Sequence, residues 1–249
     1  VSDCKSAGII PVMITGDYKD TACAIAMELG MIRNEKEAIS GSALREMDDT
    51  ELARNIHSYH VFSRVTPEDK VRIVKAFQQS GEVVAMTGDG VNDAPALKAA
   101  DIGCAMGRTG TDVAKNAADI ILTDDNFTTI VSAVRAGRGI YDNIKKAVHF
   151  LLSCNIGELV TIFVSILFGL PSPLYPVQLL FINLVTDSLP AICLGMEPPE
   201  DDIMKRKPIP PTKKPFADGL LGQIILEGLI IGTTSLCAYV WGGNTMCFA

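Results

Sequence analysis

Thr87-Gly88-Asp89-Gly90-Val91-Asn92-Asp93-Ala94-Pro95 follows a short apolar run at 83–86 and leads into a helical stretch at 94–100. Strand, glycine-rich turn and helix in immediate succession are the parts of a parallel α/β sheet with crossover helices. Gly88 and Gly90 allow backbone conformations that a side chain would forbid and let main-chain N–H groups approach an anion. Asp93 is positioned to cap the next helix, with Pro95 in its first turn. Asp89 and Asp93 are then two carboxylates within one turn, hard oxygen donors of the kind that hold Mg²⁺ beside a phosphate.

A second unit of the same kind lies upstream. The apolar run 9–14 ends in Thr15-Gly16-Asp17, and a helical stretch at 19–29 follows, stopped by Gly30. Shorter apolar runs recur at 102–105 and 119–122. In such sheets the functional crevice lies outside the carboxyl ends of the strands, where both Thr-Gly-Asp turns fall. Thr66-Pro67-Glu68-Asp69-Lys70 reads as a helix start, with Thr66 as N-cap, Pro67 first and Asp69 third. Lys70 would project from that first turn, where a cation and the helix end can act together on a phosphate.

Downstream, three segments at 147–170, 176–196 and 219–241 are nearly free of charge and long enough to cross a bilayer. The hairpin Pro171-Ser172-Pro173-Leu174-Tyr175 carries no positive charge, whereas the loop 197–218 holds Lys205, Arg206, Lys207, Lys213 and Lys214. Positive loops stay on the cytoplasmic side, which puts the long loop and the preceding soluble half in the cytoplasm. Asn155 and Glu158 share one helix face, as do Asn183, Thr186 and Asp187. No Lys or Arg lies within either segment, so Glu158 and Asp187 are expected to be protonated or to bind a cation. Pro190 has no N–H for the carbonyl of Thr186, so the helix should loosen there and release oxygen donors suited to a hard cation such as Ca²⁺. Glu227 stands alone in the third segment.

Taken in order, Met13-Ile14-Thr15-Gly16-Asp17, Arg64-Val65-Thr66-Pro67-Glu68-Asp69-Lys70 and the string at 87–95 resemble the phosphorylation domain of P-type ATPases, which has the haloacid-dehalogenase-like fold. The stretch 119–130, with Asp124-Asp125-Asn126-Phe127, resembles the link to that family's stalk helix. Asn155-Ile156-Gly157-Glu158 and Asn183-Leu184-Val185-Thr186-Asp187-Ser188-Leu189-Pro190 resemble the fifth and sixth transmembrane helices of sarcoplasmic-reticulum-type calcium pumps.

The resemblance implies a partial Rossmann-type domain at 1–125, a stalk helix at 126–146 and an α-helical membrane segment beyond it. It implies that Thr15 and Gly16 bind phosphoryl oxygens and that Lys70 neutralises the transferred group. Asp89 would hold Mg²⁺, and Asp17, Asn92 and Asp93 would complete the catalytic set. Asn155, Glu158, Asn183, Thr186 and Asp187 become ligands of the transported cation. ATP, Ca²⁺, the bilayer and the remaining domains of the same pump are the implied partners. Sodium/potassium pumps of the family have proline where this chain has Gly157 and aspartate where it has Asn183, which favours calcium. A pump for Na⁺/K⁺, H⁺ or Mn²⁺ stays open, as does a non-catalytic truncated pump product.

The family's nucleophile is the aspartate of Asp-Lys-Thr-Gly-Thr, a string that does not occur in these 249 residues. The chain opens at Val1-Ser2-Asp3 without an initiator Met or a signal peptide, which reads as an internal boundary ahead of which the nucleotide domain would lie. These residues alone are expected to form no phosphoenzyme.

A net charge of −7 argues against nucleic-acid binding. The seven cysteines, Cys247 last among them, form no C-x-x-C pair and read as buried apolar residues. His57 and His60 read as a solvated face of a helical stretch.

Overall fold

The computed structural model describes residues 1–210 and 219–242, so Lys213, Lys214 and Cys247 lie outside the described residues. The chain divides into two compact units, residues 1–134 with 204–211 and residues 135–203 with 212–249.

The first unit runs α1 (Ser2–Ser6), β1 (Met13–Thr15), α2 (Lys19–Glu28), β2 (Ala38–Ser40), α3 (Gly41–Glu46), α4 (Asp49–Asn55), β3 (Val61–Ser63), α5 (Pro67–Gln79), β4 (Ala85–Gly88), α6 (Ala94–Ala99), β5 (Ile102–Met106), α7 (Asp112–Ala117) and β6 (Ile120–Leu122). The strands form two three-stranded sheets, ordered β1-β3-β2 and β4-β5-β6. All pairs are parallel, with Ile14 opposite Phe62 opposite Ile39 in one and Thr87 opposite Cys104 opposite Ile120 in the other. Phe62, Leu44, Leu52, Ile56 and Ile73 centre one core. Val74, Met86, Leu97 and Ala105 form another. Each fully buried side chain of this size contributes about 1.5–3 kcal/mol of transfer free energy. Ile14 on β1 and Val84 just before β4 pack against both cores, so the two edge strands that end in Thr-Gly-Asp and Gly-Asp-Gly share the same apolar support.

The α/β reading holds, with local corrections. The run at 9–14 yields strand only from Met13, since Pro11 has no N–H for a ladder. The run at 83–86 becomes strand only at Ala85, because Val84 N donates to Asp101 Oδ2 instead. β2 and β3, absent from the sequence reading, are three residues each, too short for periodicity to mark them. His60 is not on a helix: it precedes β3, half-buried, with Nδ1 lacking a hydrogen-bond partner among the described residues.

The second unit is helical. α8 (Phe127–Leu167) begins in the first unit and continues into the second; α9 (Pro176–Phe181), a wide π turn (Ile182–Thr186) and α10 (Ser188–Gly195) form one continuous span; α11 (Leu220–Gly242) completes it. Each of the three is long and apolar enough to cross a membrane. Small residues let α8 and α11 approach: a Cβ on Gly232 would lie 2.9 Å from the Gly157 carbonyl, and Thr161 Oγ1 donates to the Gly232 carbonyl at 3.3 Å. The loop after α10 is fastened to α8. Asn143 Nδ2 donates to the carbonyls of Gly195 and Glu197, and Lys146 pairs with Glu197 at 2.6 Å.

The helix does loosen before Pro190, one turn earlier than Thr186 alone would suggest. Asp187 N reaches back five residues to the Ile182 carbonyl at 2.9 Å, and ordinary four-residue spacing resumes with Ala191 N on the Asp187 carbonyl. A ring at 190 that cannot donate forces the change of register upstream, and the extra residue is absorbed over 182–186.

Candidate functional site

Two clusters of sequence-predicted residues form, one in each unit. In the first, α5 begins with the expected capping box: Thr66 Oγ1 accepts from Asp69 N, and Asp69 returns a carboxylate to Thr66 N. Arg45 fixes Asp69 from the far side at 2.5 Å. The box sets the first turn of α5 and so aims Lys70, whose Nζ lies 2.5 Å from Asp93 Oδ1. Asp93 Oδ2 accepts the main-chain N–H groups of Asp89 at 3.3 Å and Gly90 at 3.1 Å. One carboxylate thus ties the lysine to the turn that presents Asp89, whose own side chain is exposed.

This corrects two expectations. Asp93 is the N-cap residue of α6 by position but makes no side-chain cap hydrogen bond, because its carboxylate is turned back onto Asp89, Gly90 and Lys70. Gly90 has φ −102°, open to any residue. The glycine requirement rests on Gly88, where a Cβ would lie 2.5 Å from Asp93 Cβ and 2.8 Å from its Cγ.

At the end of β1, Thr15 and Asp17 form their own closed turn: Thr15 Oγ1 donates to Asp17 Oδ2 at 2.9 Å, and Asp17 N donates to Thr15 Oγ1 at 3.1 Å. Gly16 between them is exposed, as is Asn92 in the single turn Val91–Asp93. Thr15, Gly16 and Asp17 therefore end one parallel sheet and Asp89 ends the other, each at a carboxyl edge.

In the second unit, Asn183 Nδ2 donates to both oxygens of Glu158, at 3.2 and 3.0 Å, and to the Leu179 carbonyl at 3.0 Å. The contact joins α8 to the π turn. Asp187 is buried at 4% exposure, and among the described residues its Oδ2 has no hydrogen-bond partner. Asp187 follows Asn183 by four residues on the same span, one helical turn further along. Asn155 is turned along its own helix, with Nδ2 on the Leu151 carbonyl at 2.7 Å, and Thr186 is exposed. Glu158 and Asn183 are thus brought together, with Asp187 one turn beyond Asn183, while Asn155 and Thr186 take no part in that contact. Among the described residues no three His, Cys, Asp or Glu side chains cluster, so a cation here would draw on amide, hydroxyl and carbonyl oxygens as well.

Glu227 is not alone. His149 Nε2 on α8 lies 2.9 Å from its Oε2, without hydrogen-bond alignment, and Ser153 Oγ donates to the same oxygen at 3.2 Å. His149 and Ser153 stand at i, i+4 at the start of an apolar segment, a signal that could have marked this face of α8.

Comparison with known proteins agrees with both halves. Haloacid dehalogenase-like hydrolase models match residues 1–101 and 70–134, and a model described as the C-terminus of cation transporting ATPases matches residues 171–247. Calcium-transporting ATPase 1 of Bacillus cereus is 54% identical over 244 residues, covering 98% of this chain and 27% of the relative. Calcium-transporting ATPase of Bacillus subtilis is 49% identical over 240 residues, covering 96% and 27%. The endoplasmic reticulum calcium ATPase srcA of Aspergillus fumigatus is 46% identical over 246 residues, covering 97% and 25%. The chain spans about a quarter of the length of these relatives. With a dehalogenase-like α/β unit joined to membrane-capable helices, and 46–54% identity to these ATPases over nearly all of its own length, the chain belongs to the P-type cation-transporting ATPase family.

Proposed function

We propose that this chain forms part of an ATP-driven pump that carries Ca²⁺ across a membrane through an aspartyl-phosphate, the phosphorylated aspartate lying outside these 249 residues. The observation that carries the reading is the convergence of Glu158 and Asn183 from two membrane-capable helices, one turn from a buried Asp187 whose Oδ2 has no hydrogen-bond partner among the described residues. Unpaired carboxylates among apolar helices are strongly unfavourable unless protonated or neutralised by a cation. Oxygen donors of mixed type suit Ca²⁺, and the relatives named above are calcium-transporting ATPases.

In the soluble unit, Thr15 and Gly16 would bind the phosphoryl oxygens, with Asp17 holding the Thr15 hydroxyl in place. Lys70 would neutralise charge on the transferring group, and Asp93 would orient Lys70. Asn92 would support the same turn. The exposed carboxylate of Asp89 at a strand end fits Mg²⁺, a hard ion that takes one or two carboxylates and phosphate oxygens. Bound there, it would supply further neutralisation of phosphate charge. α8 carries Asn155 and Glu158 on the helix that leaves the soluble unit, so one element belongs to both ends of the cycle. The lysine- and arginine-bearing loop after α10 supports a cytoplasmic soluble unit.

The test is acid-stable phosphorylation of the complete protein by ATP, titrated separately with Ca²⁺, Mn²⁺, Na⁺ and H⁺. Phosphorylation should require Ca²⁺, and Asp187→Asn should abolish Ca²⁺-dependent phosphorylation. An unchanged Ca²⁺ dependence in Asp187→Asn would reject the ligand assignment.

A further inference from the structure

The junction between β6 and α8 contains an arrangement that the phosphate pocket does not use. The loop after β5 points three successive N–H groups at one carboxylate. Gly107 N donates to Asp125 Oδ1 at 2.6 Å, Arg108 N to the same oxygen at 2.9 Å, and Thr109 N to Oδ2 at 2.8 Å. Thr109 Oγ1 adds a fourth bond at 2.9 Å. Asp125 has φ +53°, a left-handed conformation in which aspartate and asparagine are tolerated and most residues are not. The approach is close enough that Gly107 admits no side chain, since its Cβ would lie 2.7 Å from the Leu122 carbonyl and 3.0 Å from Thr123 Cα. Arg108 Nε adds a bond to the Thr123 carbonyl at 3.2 Å.

The two sides of this clamp lead to different places. Downstream of the loop, Thr111 N donates to the carbonyl of Asp89 at 2.8 Å. Downstream of Asp125, Asn126 Oδ1 accepts from Thr128 N, and Asp124 accepts from Asn126 N and from Thr129 Oγ1. Those bonds build the first turn of α8. A short path therefore runs from the turn that presents Asp89, through the loop 107–111, across the Asp125 carboxylate, to the start of the membrane-directed helix. Charge-assisted hydrogen bonds are about twice as strong as neutral ones, and four of them meet on this one carboxylate.

We infer that Asp125 is a positioning residue that couples the Asp89 turn to the first turn of α8, so that occupancy of the phosphate pocket is felt at the helix start through this carboxylate rather than through the connecting chain alone. The inference rests on the pocket reading above and adds the element that carries its movement. Coupling between sites requires an element whose arrangement both sites bias, and the Asp125 carboxylate is the bonded link between these two.

The experiment is hydrogen exchange on the complete protein in Mg²⁺, with and without beryllium fluoride as a phosphoryl mimic, for wild type, Asp125→Asn, Thr109→Val and Asp124→Asn. Asparagine tolerates the left-handed backbone, so Asp125→Asn removes the charge and keeps the turn. In wild type, residues 107–111 and 125–131 should change protection together when the mimic is added. In Asp125→Asn, basal exchange at 107–109 should rise about tenfold, 107–111 should still respond to the mimic, and 125–131 should not. Thr109→Val should show a smaller rise of the same kind, and Asp124→Asn should keep the joint response. The inference is overturned if 125–131 responds normally in Asp125→Asn, if basal exchange at 107–109 is unchanged, or if only 107–111 responds in wild type. No response in either wild-type segment would reject the pocket reading itself and the coupling with it, a result distinct from the other three.

Discussion

Lys70 Nζ lies 2.5 Å from Asp93 Oδ1, while the second oxygen of that carboxylate holds the main chain of Asp89 and Gly90. The lysine that would meet the phosphoryl group and the turn that would carry Mg²⁺ are thus set by one side chain. Lys70→Ala should lower ATP-dependent phosphoenzyme formation by about 10²–10³-fold, the usual consequence of deleting one preorganised charge stabiliser. Asp93→Asn keeps the shape and loses the ion pair, and should cost about tenfold. Because both changes act on one contact, the double variant should fall short of the product of the two, and a multiplicative result would show that they act independently.

Gly88→Ala should be far more damaging than Gly90→Ala. The added methyl at 88 would lie 2.5 Å from Asp93 Cβ, and β4 is held in register with β5, so Asp93 must move. Overpacking of this kind costs about 1–3 kcal/mol. At 90 the nearest atom would be Asp93 Oδ2 at 3.5 Å, ordinary contact, and the backbone there suits any residue. Thermal unfolding of the two variants in the complete protein, with the order reversed, would refute this account of the motif.

The sequence motifs were legible because their chemistry is local. The capping box at Thr66 and Asp69 is written in four residues, and the Thr-Gly-Asp turns fall at strand ends, as their spacing from apolar runs implied. The partners of those motifs were not legible. Lys70 and Asp93 are 23 residues apart, and Asp125 meets Gly107 across 18, distances over which no periodicity carries information. β2 and β3 were missed for a related reason: Val61, Phe62 and Ser63 are all buried, so no alternation marks them. The pairing of Glu227 with His149 was hidden because the two lie on different helices, 78 positions apart in the chain.

An imidazole and a carboxyl, both held below their ordinary pKa values, give the soluble unit two separate pH windows. Burial holds the His60 imidazole below its ordinary pKa, with Lys5 and His57 acting in the same sense and Glu37 against it. The unfolded chain then takes up a proton near pH ~6.5 that the folded unit resists, so stability should fall as pH drops below that value. His60→Gln should flatten this loss. The Asp125 carboxyl is held down at about 2, foremost by the Arg108 N–H and then by Thr109 and Gly107. Its contribution is therefore complete above about pH 4 and is lost only as pH falls towards its folded value. Urea midpoints read by pulse proteolysis should show the first window disappear in His60→Gln and persist in Asp125→Asn; the reverse would contradict both assignments.

The amide of Asn183 donates to both oxygens of Glu158. A Ca²⁺ between the two residues needs oxygen, not NH₂, on the side of Asn183 that faces Glu158, so binding requires the amide to turn. Asn183→Ala removes the donor that competes with the cation but also one ligand, whereas Glu158→Gln removes charge and should weaken apparent Ca²⁺ affinity more. If the two residues share one ion, their effects on the half-saturating Ca²⁺ for phosphorylation should be coupled by about 1–2 kcal/mol in a double-mutant cycle. Strict additivity in that cycle would mean that the two side chains touch each other without sharing the transported ion.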